Sequence, residues 1–278
     1  MDLRPLSRTF GVEVIGAGLD GTEADTLREL LWRHQLLLFR GLELSPARQI
    51  TVTGQFGEVL KPWDPTHAHQ DEPLLEVFHA SPPRPYRRPA EHWHSDGSFL
   101  AEPTSATLLH ALIVPESGGA THYSDVRTAY QTLPEALRRR VADRRAVHSF
   151  ARQFSQLRQA SQRVSEAEAV EERSVFPDVE HGLVRPHPVT GEPALYLNEL
   201  CLDRVSGLSS TESDELLAEI YAHALSDEFE YVHDWRPGDL LVWDNPSLLH
   251  RASPVHSGCR LVHRSTAQYE ARRWTRQP

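Results

Sequence analysis

Lysine is almost missing from this chain: Lys61 is the only one, so 29 basic residues minus one lysine leaves 28 arginines. Such a skew most simply reflects GC-rich coding, but it makes Lys61 conspicuous. Cysteine is also scarce. Cys201 and Cys259 are the only two in 278 residues, which excludes a disulfide framework and any metal cage built of several thiolates. Long apolar runs are lacking as well: mean hydropathy is -0.47, and no stretch approaches the roughly 20 apolar residues of a membrane span. The first ten residues hold no apolar segment of signal-peptide type, so a cytoplasmic location is the expectation. Positive charge is in deficit. A net charge of -10 argues against nucleic acid, which wants a basic footprint, and leaves small molecules as the expected partners. The length suits one catalytic domain over residues 1–278, since no stretch reads as a long linker.

What is present begins with helix and strand signals. Thr22-Glu-Ala-Asp25 reads as an N-cap, and Leu27, Leu30, Leu31 and His34 continue at helical spacing, which predicts a helix over 23–34 followed by a buried strand at 35–40. Ser45-Pro46 opens a second helix that should run to about residue 56. Strand-like runs then recur at 74–79, 107–114, 121–126, 146–150, 194–198, 228–233, 239–243 and 260–268. Turn signals such as Ser117-Gly-Gly119 and Arg236-Pro-Gly-Asp239 separate them. Many short strands with such turns suggest a sandwich or barrel. Helical patterns interrupt them at 126–142 and 212–224. The Pro-, His- and Arg-rich stretch 61–90 reads mostly as loop, and the polar stretch 152–172 reads as a surface helix or a lid.

The chemistry-bearing signal is the run Glu91-His-Trp-His-Ser-Asp-Gly-Ser-Phe99, with a counterpart in Trp243-Asp-Asn-Pro-Ser-Leu-Leu-His250. On an extended segment His94 and Asp96 point to one side, so both can reach one metal, and a distant His250 would complete a set of two imidazoles and a carboxylate. That set suits non-haem Fe(II) with positions left open. His92 with His94 is a rival pair that would suggest zinc or copper; the carboxylate of Asp96 discriminates in favour of iron. Arg260, Val262 and Arg264 share one face of the last strand. Two arginines facing a barrel interior would be justified by an internal dicarboxylate, because a guanidinium pairs a carboxylate bidentately.

These blocks resemble the taurine dioxygenase family of Fe(II)/2-oxoglutarate oxygenases, including the aryloxyalkanoate dioxygenases, over nearly the full length. The matching residues are Trp93-His-Ser-Asp96, Pro115-Glu-Ser-Gly-Gly-Ala-Thr121, Asp125-x-Arg-x-Ala-Tyr130, Val184-Arg-Pro-His-Pro-Val-Thr-Gly191, Leu195-Tyr-Leu-Asn198, Gly238-Asp-Leu-Leu-Val-Trp-Asp-Asn245 and Leu249-His-Arg251. The resemblance implies a mainly β fold, a double-stranded β-helix or jelly roll with helices outside. It implies iron on His94, Asp96 and His250, and the distal carboxylate of 2-oxoglutarate on Thr121 and Arg260. Trp243 and Asn245 would shape the turn that presents His250. Oxidative decarboxylation with O₂ would give succinate and CO₂ and hydroxylate an unactivated C–H. Halogenation is not expected, because Asp96 fills the position a halide would need.

In that family a basic residue after Phe56-Gly-Glu58 and the second arginine of the last strand help grip an anionic substrate, which points to Lys61 and Arg264. Taurine-type enzymes favour a histidine at the first position, so taurine itself is not indicated. A small anionic substrate and a homo-oligomer are the resulting expectations. The alternative class is a zinc-binding hydrolase, or a metal-binding protein without activity, on a similar barrel.

Overall fold

The computed structural model describes residues 1–16, 19, 23–82, 89–153 and 176–269. Thr22, the arginines Arg84, Arg87 and Arg88, and nearly all of the 152–172 stretch lie outside the described residues.

The architecture is mainly β. Its largest sheet takes strands from both ends of the chain: β1 (Asp2–Pro5), β2 (Val12–Ile15), β3 (Leu36–Phe39), β4 (Glu58–Val59), β5 (Glu76–Ala80) and β6 (Ala106–Ile113). A smaller sheet begins with β7 (Thr121–Asp125) and continues with β8 (Glu230–His233). Then β9 (Leu240–Asp244) returns to the large sheet, β10 (Leu248–Ala252) to the small one, and β11 (Arg260–Gln268) closes the large sheet. Order in the large sheet is β1-β2-β3-β9-β6-β11-β4, with β5 also paired to β11; order in the small sheet is β8-β7-β10. All of these pairs are antiparallel except β2 with β3.

Period-two alternation assigns the faces of the large sheet. Leu37, Phe39, Leu108, Leu240 and Val242 point outward and pack on Leu27 and Leu31 of α1 (Ala24–His34) and Val52 of α2 (Pro46–Thr53). Leu36, Leu38, Leu109, Leu241 and Trp243 point inward and meet Tyr123 and Leu248 of the small sheet. Burial on both faces explains why β3 and β9 read as unbroken apolar runs. Behind the small sheet lie α3 (Val126–Gln131), α4 (Glu135–Val141) and α5 (Ser210–Ala224), whose Leu216, Leu217 and Ile220 share a core with Val126, Leu137 and Leu249. Ser209 and Glu212 close a capping box at the start of α5, and Ser45 caps α2 as its sequence suggests. No helix of the described residues is long and apolar enough to cross a membrane.

Three expectations need correction. The helix expected over 126–142 is two helices, because Pro134 cannot continue the turn that ends at Thr132 and instead becomes the N-cap of α4. The second helix stops at Thr53, with Gly54 at its C-cap, rather than near residue 56. His250 lies within a strand, β10, and not merely after a turn.

Asp244, at the end of β9, is fully buried and gathers three donors. Tyr269 Oη lies 2.5 Å and His187 Nε2 3.1 Å from its Oδ1, and the Ser247 hydroxyl donates to Oδ2. That carboxylate ties the end of the last strand and the 187–191 turn to the bend leading into β10. Asp244→Ala should lower unfolding free energy by at least about 3 kcal/mol in denaturant titration, since each orphaned buried donor costs about 1–3 kcal/mol. Asp244→Asn, which keeps an acceptor oxygen, should cost less than half as much; a loss under about 1 kcal/mol in the alanine variant would remove the hub role.

Candidate metal centre and cosubstrate cavity

His94 and His250 meet as an antiparallel bridge, each donating its backbone N–H to the other's carbonyl at 3.0 and 2.9 Å. Their rings lie 4.1 Å apart between centroids. Asp96, two residues beyond His94, brings its carboxylate between them: Oδ1 is 3.7 Å from His94 Nε2 and Oδ2 is 3.8 Å from His250 Nε2. Potential ligand atoms of the three residues all lie within 4.8 Å of one another. Just after Asp96 the chain turns through Gly97 at φ +68°, where a Cβ would sit 2.9 Å from Thr104 Oγ1, so only glycine makes that turn without strain.

The protonation pattern suits a cation. His94 Nδ1 lies 2.7 Å from the His92 carbonyl, which requires the proton on Nδ1 and leaves the Nε2 lone pair facing Asp96. Burial, then the His94 and Arg264 charges, pull the His250 pKa down to about 3 against the opposing pull of Asp96. Burial would raise Asp96, but His250, Arg264, His94 and the Thr107 hydroxyl outweigh it and hold the carboxyl at about 2. Neutral imidazoles and an ionised carboxylate are the forms that ligate metal.

A relay of hydrogen bonds fixes this carboxylate. Thr107 Oγ1 donates to Asp96 Oδ2 at 2.7 Å, Asn245 Nδ2 donates to Thr107 Oγ1 at 2.9 Å, and Trp243 Nε1 donates to Asn245 Oδ1 at 3.1 Å. Trp243 and Asn245 therefore act on the carboxylate as well as on the turn before β10. Thr107 carried no motif in the sequence; only its pairing opposite Trp243 in the sheet brings it to the site.

From the two histidines of the triad a cavity of about 130 Å³ runs between the sheets, lined by His94, Leu109, Thr121, Trp243, His250, Val262, Arg260 and Arg264 among others. Arg260 forms no ion pair with any described residue, and its Nε is buried without a partner. Burial lowers its pKa to about 10, so it remains a cation at neutral pH and asks for an anion. Thr121 Oγ1 accepts from Trp235 Nε1 at 2.9 Å, which leaves its own proton to donate. Gly119, at φ +74°, keeps space beside Arg260: a Cβ there would lie 3.3 Å from Arg260 Cδ and 2.8 Å from Pro115 Cγ. A cation, a hydroxyl donor and a narrow cavity ending at a His–Asp–His cluster fit a small dicarboxylate that also reaches the metal.

A second, larger cavity of about 490 Å³ opens on the Asp96 side, lined by Trp63, Phe78, Phe99, Asp64, Glu76, Asn198 and Arg264 among others. Arg264 reaches both cavities. Lys61 does not join it: the side chain is exposed, and Trp63, Asp64 and His67 are the residues of that loop that line the wall. His92 is likewise absent from both linings and lies 3.6 Å from the Glu199 carboxylate.

A sequence model of the family described as "Taurine catabolism dioxygenase TauD, TfdA family" matches residues 2–266. The chain belongs to the TauD/TfdA family. Among its relatives are an alpha-ketoglutarate-dependent sulfate ester dioxygenase of Pseudomonas putida, 30% identical over 91% of this chain and 84% of that protein, and an alpha-ketoglutarate-dependent 2,4-dichlorophenoxyacetate dioxygenase of Cupriavidus pinatubonensis, 33% identical over 89% and 90%. A solved taurine dioxygenase from Burkholderia xenovorans superposes with a TM-score of 0.80 at 27% identity, over 97% of this chain and 89% of the other. The crystal structure of AAD-2 in complex with Mn(II) and N-oxalylglycine gives 0.79 at 26% identity, over 97% of each. As a TauD/TfdA member the chain is a 2-oxoglutarate-dependent non-haem iron dioxygenase, using Fe(II), 2-oxoglutarate and O₂. The zinc-hydrolase alternative falls with that assignment.

Buried histidines give this fold a pH signature. Besides His250, burial holds His181 and His263 at about 4 and His148 well below its ordinary range. In the unfolded chain each takes a proton as pH falls through about 6.5, while the folded forms stay neutral until far lower pH. Stability of the metal-free protein should therefore fall steadily from pH 6.5 to 4.5, a range in which the carboxyl of Asp96 is ionised throughout the fold. Thermal midpoints measured with chelator present check this, and a flat profile from pH 7 to 4.5 would refute it.

Proposed function

We propose that this dioxygenase hydroxylates an unactivated C–H of a small molecule held in the larger cavity, on a double-stranded β-helix formed by the two facing sheets. In this reading His94, Asp96 and His250 hold Fe(II), and Arg260 with Thr121 anchors the distal carboxylate of 2-oxoglutarate. The observation that carries it is Arg260, without an ion-pair partner among the described residues, sharing one small cavity with His94 and His250 of the cluster. A metal-binding hydrolase has no use for a buried cation of that kind.

Iron at this centre would supply a site where O₂ and the keto acid react, yielding succinate and CO₂ and the oxidising power for the C–H. The residues do the rest. The bridge between the two histidine backbones sets the spacing of two ligands, and the relay through Thr107 and Asn245 aims the third. Trp243, 4.7 Å from the His250 ring, and Leu109 wall the cavity with apolar surface that excludes water from the oxidising centre. Arg260 supplies the charge that orients the cosubstrate, and Thr121 adds a directional hydrogen bond.

Anaerobic titration with Fe(II) and 2-oxoglutarate should produce a metal-to-ligand charge-transfer band. Asp96→Ala should abolish the band and iron binding together. Arg260→Met should leave iron binding intact and weaken 2-oxoglutarate by about 2–4 kcal/mol, roughly 30- to 1000-fold in Kd, the usual cost of removing one partner of a buried charge pair. A wild-type protein that shows no band while retaining iron would overturn the reading.

A further inference from the structure

Arg264 and Glu76 are direct cross-strand partners in the register of β11 and β5. The contact is bidentate: Arg264 Nε donates to Glu76 Oε2 at 2.7 Å and Nη2 to Oε1 at 2.9 Å. Phe78 holds the guanidinium from its face, with Cζ 4.9 Å from the ring centroid, and Nη1 lies 3.5 Å from Asp96 Oδ1. Glu76 is only 3% exposed, and a buried carboxylate cannot readily give up its cation. An anionic group arriving at Arg264 would have to displace Glu76 or share the guanidinium with it.

Arg264 is the only arginine or lysine among the described residues lining the larger cavity. Besides Glu76 and Asp96, Asp64 adds a third carboxylate, which accepts from the backbone N–H and hydroxyl of Thr66. The rest of the described wall is uncharged or imidazole, with Ser95, Gln153 and Asn198 among its polar members, and its aromatic part is built on Trp63 and Phe99, which pack edge-on at 5.8 Å with Phe150 and Phe176 behind them. Sulfate esters and phenoxyacetates, named for the relatives, carry an anion that this wall does not receive.

We propose that Glu76 determines the substrate class of this site: by neutralising Arg264 it reserves the larger cavity for a substrate without an anionic headgroup, held by the aromatic wall of Trp63, Phe78 and Phe99. The proposal rests on the oxygenase reading above. It departs from the expectation that Lys61 and Arg264 together grip an anion.

The test uses the anaerobic Fe(II) and 2-oxoglutarate complex of the full chain and pairs of probes alike in shape, phenylacetamide against phenylacetate and 1-hexanol against hexyl sulfate. Readouts are the shift of the charge-transfer band and, with O₂ admitted, succinate release. In the wild type the neutral member of each pair should act at a concentration at least tenfold below its anionic counterpart. Glu76→Gln should raise affinity for each anion at least tenfold relative to its neutral counterpart, and adding Arg264→Gln should erase that gain. Should Glu76→Gln fail to show the band by itself, Glu76→Asp, which keeps the charge but shortens the reach, should show the same gain to a smaller degree. Equal affinity for both members of each pair in the wild type, or no gain for anions in either Glu76 variant, would overturn the proposal. A wild type without the band would instead sink the oxygenase reading.

Discussion

Two backbone hydrogen bonds between His94 and His250 are the constraint on which the site depends. They lock a loop from the first half of the chain to a strand from the second, so the two imidazoles cannot drift apart without breaking a pair of buried bonds. Asp96 then needs no freedom of its own, because its position follows from His94 two residues earlier and from the Thr107 hydroxyl that meets it. The sheets extend the same logic. The central strands that supply cavity residues, β6 and β9, are buried on both faces, so the register that sets their core residues also sets their polar ones.

How much of this could be read in the sequence depended on spacing. His94 and Asp96 were visible because a two-residue separation on extended chain means a shared side, and Arg260 with Arg264 because four residues on a strand mean the same. The buried runs of β3 and β9 were visible for their unbroken apolarity. By contrast, Glu76 lay in a run of ordinary strand residues, and Thr107 in an ordinary buried strand. Their roles come from partners on other strands, which local pattern does not encode. The small sheet was seen only in part: β7 and β8 have strand-like composition, whereas β10 is five residues with a histidine and an arginine among them and gave no clear alternation.

The same limit bears on the substrate side. Arg264 was correctly placed on the cavity face, but a charged residue is defined by its neighbour as much as by its direction. Lys61 shows the converse: proximity in sequence to a motif is not proximity in space, and its exposed side chain is in neither lining.

The contrast between the two arginines has a kinetic side. Arg260 is a cation with no ion-pair partner among the described residues of its cavity, while Arg264 and Glu76 largely cancel each other's charge. Around them stands a chain of net charge -10. A dianionic cosubstrate therefore approaches through a repulsive far field and is captured only at close range, inside a Debye length of about 8 Å at physiological ionic strength. An uncharged partner meets no such barrier. The encounter rates of the two ligands should thus respond differently to salt, the dianion's rising as the protein's charge is screened and the neutral molecule's staying level.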